Sequence, residues 1–93
     1  MAGGYTYILT NERQTVLYTG STNALAKRIH HHKHRLIPGF TKKYNVSRLV
    51  YFETALDMTS ARQREREIKG MTRRKKEALI DSVNKSWQDL SVE

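Results

Sequence analysis

Apolar and polar positions change rhythm several times along the 93-residue chain, and each change marks an element. Tyr5-Thr6-Tyr7-Ile8-Leu9-Thr10 and Thr15-Val16-Leu17-Tyr18-Thr19 are rich in aromatic and β-branched residues, the composition that fits a pleated strand. Four polar residues, Asn11-Glu12-Arg13-Gln14, separate them, so the two runs are expected to pair as a β-hairpin. Gly20-Ser21-Thr22-Asn23 reads as the break after the second strand and as a source of capping oxygens for a helix. From Ala24 to about His34 the period becomes helical. Leu25, Ile29 and His32 share a face at i, i+4 and i+7, with Arg28 beside them at i+3.

Pro38-Gly39 ends that segment, and Phe40–Asn45, which carries Lys42 and Lys43, reads as a loop. Arg48–Glu53 is a third strand whose apolar centre predicts burial on both faces. Asp57 to Ser60 supplies helix-start chemistry, and Ser60-Ala61-Arg62-Gln63 has the spacing of a weak capping box. Ala61, Glu65 and Ile68 then line one face of a helix ending near Gly70, a suitable C′ residue. Thr72 restarts a helix through Arg73, Arg74, Lys75 and Lys76 into Ala78, Leu79, Ile80 and Val83, and Trp87 and Leu90 are expected to fold back onto the core. The pattern adds up to an α+β fold, a small sheet with helices around it, in a single domain over residues 1–93. There is no internal repeat, low-complexity tract or linker.

Length and composition sharpen this picture. A chain this short buries about 60–65% of the surface its unfolded form exposes, so one small core must use most of its apolar residues. Those residues make up 38% of the chain, low for a globular protein but too many for a disordered one. Charge says more. Seventeen Lys and Arg against nine Asp and Glu leave a net charge of +8, a field that attracts polyanions. Nucleic acid is the first partner this implies and an anionic membrane surface the second; the plainest alternative is that the charge only keeps the protein soluble. With no cysteine, disulfides and thiolate metal sites are excluded and a reducing compartment is the natural home. No run approaches the length of a membrane span and the N-terminus lacks a basic start, so a cytoplasmic, soluble protein without membrane contact is expected.

The candidate chemistry follows from the order of motifs. Tyr5-Thr6-Tyr7 and Tyr18-Thr19-Gly20 end paired strands, Leu25-x-x-Arg28-Ile29-x-x-His32 follows on a helix, and Ala61-x-x-x-Glu65-x-x-Ile68-Lys69 lies on a later one. This order resembles the GIY-YIG nuclease superfamily, above all its small stand-alone bacterial members, and it is similar to the N-terminal domain of the excision-repair incision subunit. Gly39-Phe40-Thr41-Lys42-Lys43-Tyr44-Asn45, Leu49-Val50-Tyr51, Arg64-Glu65, Ile68-Lys69-Gly70, Lys75-Lys76, Leu79-Ile80, Asn84 and Trp87-x-Asp89-Leu90 extend the likeness over roughly residues 5–90. Tyr5 stands in place of the first Gly, and Thr6 and Thr19 in place of two Ile, at strand positions that fill space. Met71 and Lys85 stand where the subfamily tends to have Trp and Pro. The resemblance implies a central antiparallel three-stranded sheet flanked by helices, and a metal-dependent endonuclease acting on DNA (or RNA).

Phosphodiester hydrolysis needs an activated water, a counter-charge for the transition state and help for the leaving oxygen. By the resemblance Glu65 is the metal ligand, and one carboxylate with water and substrate oxygens suits Mg²⁺ or Mn²⁺. Read without it, Glu65 is a solvated helix residue or an ion-pair partner of Arg62 or Lys69. Glu67 points elsewhere around the helix. Arg28 offers a permanently charged planar fork for phosphate oxygens, the transition-state stabiliser by resemblance and otherwise a surface Arg on a basic helix. His32, one turn later, can reach the same phosphate or help a proton transfer. Of the two phenols, resemblance makes Tyr18 the base and Tyr7 the group that places water or phosphate, though the two roles could be exchanged. As isolated strand residues both would simply pack.

Asn84 is expected to give a supporting hydrogen bond. His30 and His34, at i and i+4, lack a third ligand for zinc. Lys42, Lys43, Lys69, Arg73 and Arg74, with Lys75 and Lys76, are candidates for a rim that binds the nucleic-acid backbone without reading sequence. A protein partner or a homodimer is a further expectation for targeting. The competing functions are a nucleic-acid-binding module of the same fold without turnover, and a basic accessory protein that needs no Glu65.

Overall fold

The computed structural model describes residues 3–34, 39 and 43–91. Its elements are β1 (Gly4–Thr10), β2 (Leu17–Thr22), α1 (Leu25–Lys33), β3 (Arg48–Ala55), α2 (Met58–Lys69) and α3 (Arg73–Val83). The three strands form one antiparallel sheet in the order β2-β1-β3, the α+β architecture expected. β1 takes the centre because its Tyr7, Ile8 and Leu9 have no solvent exposure at all, which only a strand covered on both faces and both edges can satisfy.

The two faces carry different cores. Tyr7, Leu9, Leu49, Ile29 of α1 and Val46 cluster on one; Ile8, Val50, Tyr51, Ile68, Ile80 and Trp87 cluster on the other, under α2 and α3. A bulge explains how neighbouring residues of β3 divide between them. Ile8 pairs with Tyr51 and Leu9 with Leu49, which leaves Val50 as the extra residue and sends both Val50 and Tyr51 to the same side. Two-sided burial therefore holds for residues 49–51 and ends at Phe52, which is 40% exposed.

A polar row crosses the α2 face. Thr6 pairs with Ser21 on one side and Glu53 on the other, and each of the three holds α2. Thr6 Oγ1 donates to the carbonyl of Ala61 at 2.8 Å, Ser21 Oγ donates to Glu65, and Glu53 accepts from Arg64. The helix is thus tied to every strand of the sheet.

Element ends differ from the sequence reading in places. β2 begins at Leu17 rather than Thr15 and runs through Gly20 to Thr22; the intervening turn is held by Asn11, whose Oδ1 accepts from the amides of Thr15 and Val16. α1 starts without a side-chain cap at Ala24, while Thr22 Oγ1 accepts from the Ala24 amide. α2 is capped by Asp57, whose Oδ1 accepts from Ser60 N–H at 2.8 Å, and so it starts before the Ser60 box. Gly70 closes it at φ −78°, without the left-handed conformation a C′ glycine usually supplies. Thr72 caps α3 as expected.

Lys43 and Tyr44 are helical where a loop was expected, with Lys43 N–H donating to the Gly39 carbonyl. Pro38 and Phe40–Lys42 lie outside the described residues. Trp87 folds back into the core, its Nε1 donating to Asp81, whereas Leu90 stays 37% exposed and docks through its amide on the Leu49 carbonyl.

Candidate functional site

Tyr7 occupies the middle of β1 and points to the α1 face. Directly opposite on β2 is Gly20. A Cβ at that position would stand 2.5 Å from Tyr7 Oη and 2.6 Å from its Cζ, so the glycine is what lets the phenol lie across the strand. Gly20 is therefore not a strand break but a seat for Tyr7. Tyr18, two residues earlier on β2, shares that face, and its half-buried ring centres 6.5 Å from the Tyr7 ring. His32, on the inward side of α1 with Ile29, completes a triangle: its ring lies 6.1 Å from Tyr7 and 5.7 Å from Tyr18, and its Nε2 is 3.3 Å from Tyr7 Oη.

Burial fixes the protonation of two members. Tyr7 is pushed well above the usual phenol range by burial first and by Tyr18 next, with Glu65 adding and Arg28 opposing, so it stays a neutral hydroxyl. Burial also pushes His32 down to about 4, reinforced by Arg28 and His31, so its ring is neutral at pH 7.

Glu65 approaches from α2, round the β2 edge. Ser21 Oγ donates to its Oε1, and Lys69 Nζ lies 2.7 Å from Oε2. Burial pushes this carboxyl up, but the bonds from Lys69 and Ser21 and the charges of Lys69 and Arg28 outweigh it and leave it below the usual range. Arg28 links the two sides. Its charge acts on Tyr7, His32 and Glu65 alike, and within the described residues no hydrogen bond or ion pair engages its guanidinium. An open cleft of about 320 Å³ lies against it, lined by Ser21, Thr22, Asn23, Met58 and Arg62 as well.

Among the described residues no three His, Cys, Asp or Glu side chains gather as a metal cage. Among the described residues a cation at Glu65 would thus have this carboxylate and at most one further His, Asp or Glu ligand, with water and phosphate oxygens completing the shell. That donor set fits Mg²⁺ or Mn²⁺ rather than a structural zinc. The Lys69 ammonium lies on Oε2, an oxygen that a divalent cation there would have to share.

The family model of the GIY-YIG catalytic domain matches residues 3–78. The chain belongs to this family. Relatives of the GIY-YIG domain include a UPF0213 protein of Clostridium perfringens, 41% identical over 84% of this chain and 83% of that one. Another, from Natronomonas pharaonis, is 35% identical over 85% of this chain and 92% of its own. The solution NMR structure of a UPF0213 protein from Bacillus halodurans has a TM-score of 0.58 at 29% identity, covering 92% of this chain and 90% of that one.

This GIY-YIG domain brings Tyr7, Tyr18, Arg28, His32 and Glu65 to the β2 side of its sheet. The other candidates are placed differently. Asn84 caps α3; its amide donates to the carbonyls of Val50 and Gln88 and accepts from Gln88 N–H, fastening the tail to β3 on the α2–α3 side. Arg73 is engaged by the β1–β2 turn, with 2.8 Å bonds to the carbonyls of Gln14 and Thr15 and an ion pair to Glu77. Lys69 is paired with Glu65, and Lys43 lies over the Tyr44 ring. Arg74 is exposed, and Lys42 lies outside the described residues.

Ser21, Gly20 and Arg62 are the functional candidates that the sequence reading passed over. Ser21 had a signal: if β2 continues past Gly20, period two turns Ser21 to the face opposite Tyr18 and Gly20.

Proposed function

We propose that the protein is a divalent-metal-dependent endonuclease that hydrolyses DNA phosphodiester bonds. One observation supports this above the rest: one guanidinium, Arg28, unengaged within the described residues, exerts its charge on a buried phenol, a neutral imidazole and an ionised carboxylate that come from three different elements. A protein that only binds nucleic acid has no use for that combination. In this reading Arg28 neutralises the charge that grows on the phosphorane. Tyr18, the more accessible phenol, takes the proton of the attacking water as its phenolate. Tyr7 stays protonated; with the neutral His32 ring donating Nε2–H to its oxygen, its own O–H is the donor that holds the water or the phosphate. His32 positions Tyr7. A Mg²⁺ or Mn²⁺ held by Glu65 would supply charge to the phosphate and polarise the water.

The test is cleavage of supercoiled, nicked, branched and single-stranded DNA, with RNA alongside, in Mg²⁺, Mn²⁺ and EDTA. Metal-dependent cutting is expected, reduced at least about 100-fold by Glu65→Gln and by Tyr18→Phe, the range seen when one transition-state contact is removed. Salt-sensitive binding with no cutting of any substrate would leave only a catalytically inactive nucleic-acid-binding module. Cutting that both variants retain would discard the mechanism.

A further inference from the structure

The sequence directed attention to Lys69 and Arg73 as part of the backbone-binding rim, but both are held by other groups of the protein. A different set of cations surrounds the site. The cleft between Arg28 and Arg62 has a neighbour of about 370 Å³ lined by Arg28, Lys27 and His31, and Thr22 and Asn23 line both. Arg28 thus lines both clefts, with Arg62 on one of them and Lys27 on the other.

No Asp or Glu lines either cleft. Within the described residues none of Lys27, Arg28 and Arg62 has a carboxylate or hydrogen-bond partner, in contrast to Arg64 and Arg73 elsewhere on the surface. Lys27 and Arg62 are both exposed, so neither contributes to the core. Within the described residues the one carboxylate that Arg28's charge reaches is Glu65, already paired with Lys69, so the three cations repel one another and an extended polyanion would relieve that repulsion.

We propose that the two clefts form the track of the cleaved strand. Arg28 takes the scissile phosphate, Arg62 the phosphate on one side of it, and Lys27, with His31 beside it, the phosphate on the other. The ligand is the phosphodiester backbone of a nucleic-acid strand, recognised by charge and independently of base. This rests on the endonuclease reading for the central phosphate; the flanking contacts are testable without turnover.

Binding of a fluorescent DNA oligonucleotide is measured by anisotropy in EDTA over a range of salt concentrations. The proteins compared are the wild type, Arg62→Gln, Lys27→Gln, the double variant and Lys85→Gln, an exposed lysine beyond α3 that serves as control. Circular dichroism confirms that each is folded. Arg62→Gln and Lys27→Gln should each lower the slope of log affinity against log salt by about 0.7–0.9, and the double variant by about twice that. Each single loss should weaken binding roughly 5- to 10-fold near physiological salt. Lys85→Gln should leave both quantities nearly unchanged. Wild-type slope and affinity in Arg62→Gln and Lys27→Gln would overturn the track while leaving the nuclease reading untouched. Reduced slopes in a protein that never cuts DNA would uphold the track and remove the nuclease reading. No binding of DNA at low salt would overturn both.

Discussion

Arg64 and Glu65 are neighbours on α2, yet they turn to opposite edges of the sheet. At the β3 edge Arg64 grips Glu53 through Nε and Nη2, at 3.0 Å each, and reaches Glu67 at 3.2 Å, while Tyr51 Oη donates to the same Glu53 carboxylate. Burial raises that carboxyl, but the bonds from Arg64 and Tyr51 outweigh it, and the phenol in turn is pushed up to about 12 by burial and Glu53. Every one of these groups has a bonded partner. At the β2 edge Glu65 is held by one hydroxyl and one half-exposed ammonium, and the guanidinia of Arg28 and Arg62 line a cleft with no hydrogen-bond or ion-pair partner among the described residues. The polar row Ser21-Thr6-Glu53 makes both edges from the same fold. A satisfied network is a strut. Charge left over after the internal bonds are made is what a ligand can use.

Two substitutions of adjacent residues should separate the two edges most visibly. Glu65→Gln should abolish most cleavage, at least about 100-fold, with little change in the urea midpoint. Arg64→Met should do the reverse. It strands the Glu53 carboxylate and its bonded phenol; with these side chains about a third exposed, the loss is discounted to about 2 kcal/mol of stability. The rate per folded molecule should fall much less. Equal profiles in a paired cleavage and urea-unfolding experiment would erase the distinction between strut and site.

Gly20→Ala tests the seat of Tyr7. With a Cβ placed 2.5 Å from Tyr7 Oη, the phenol must leave its position opposite β2. Overpacking of this kind costs about 1–3 kcal/mol, and displacement of the Tyr7–His32 contact should slow cleavage as well. In a Tyr7→Leu background the same glycine substitution should cost clearly less, about 1 kcal/mol or below, because only the 3.2 Å approach to Tyr18 Cε2 remains. An undiminished cost there would mean that Gly20 serves the backbone and not the phenol.

Gly20 also shows where the sequence stops being legible. A glycine after a strand pattern reads as a break, and nothing in its neighbours says that a tyrosine on another strand needs the space. The elements themselves were readable because period and caps are local: Tyr5–Thr10, Arg48–Glu53, the helix through Ile68 and the Thr72 cap all appear where the pattern puts them. The order β2-β1-β3, the bulge at Val50 and the row Ser21-Thr6-Glu53 depend on register between strands distant in the chain, which one sequence does not specify. Tyr7, Tyr18, Arg28, His32 and Glu65 stand out as candidates only through family resemblance; by pattern alone the tyrosines are packing residues and Glu65 is a solvated helix residue or an ion-pair partner of Arg62 or Lys69. That ion pair with Lys69 is in fact present. Arg73 could not be judged in advance, since only the folded turn offers it the carbonyls of Gln14 and Thr15.

A smaller effect appears with pH. His32 has a folded value near 4 against an ordinary value of 6.5, so between these the unfolded chain binds a proton that the folded one refuses. Stability is therefore full above about pH 6.5 and declines as pH falls toward 4. The depressed carboxyls of Glu53 and Glu65 have an ordinary value of 4.5 and add their loss only lower down. Urea midpoints at pH 7 and pH 5.5 isolate the histidine: the wild type should lose stability over this interval and His32→Gln should lose less. Parallel losses would remove His32 as the buried neutral ring on the site side.

The smallest expected change in stability belongs to Lys69→Gln, and it decides what the β2 edge is for. Lys69 sits at i+4 from Glu65 with its side chain 53% exposed, a pair of the type worth about 0.3–0.5 kcal/mol. Its removal should leave the urea midpoint almost where it was. At the carboxylate the consequences are larger than in the fold, because the ammonium holds the oxygen that a divalent cation would use. Without it, Mn²⁺ binding followed by electron paramagnetic resonance should tighten about 3-fold, as expected when one like charge is taken from beside a partly solvated site. The gain should vanish in Lys69→Gln/Glu65→Gln, which has no carboxylate to bind. If Lys69→Gln instead costs as much stability as Arg64→Met and leaves Mn²⁺ affinity unchanged, both edges of the sheet are struts and Glu65 is simply the lesser of two anchors for α2.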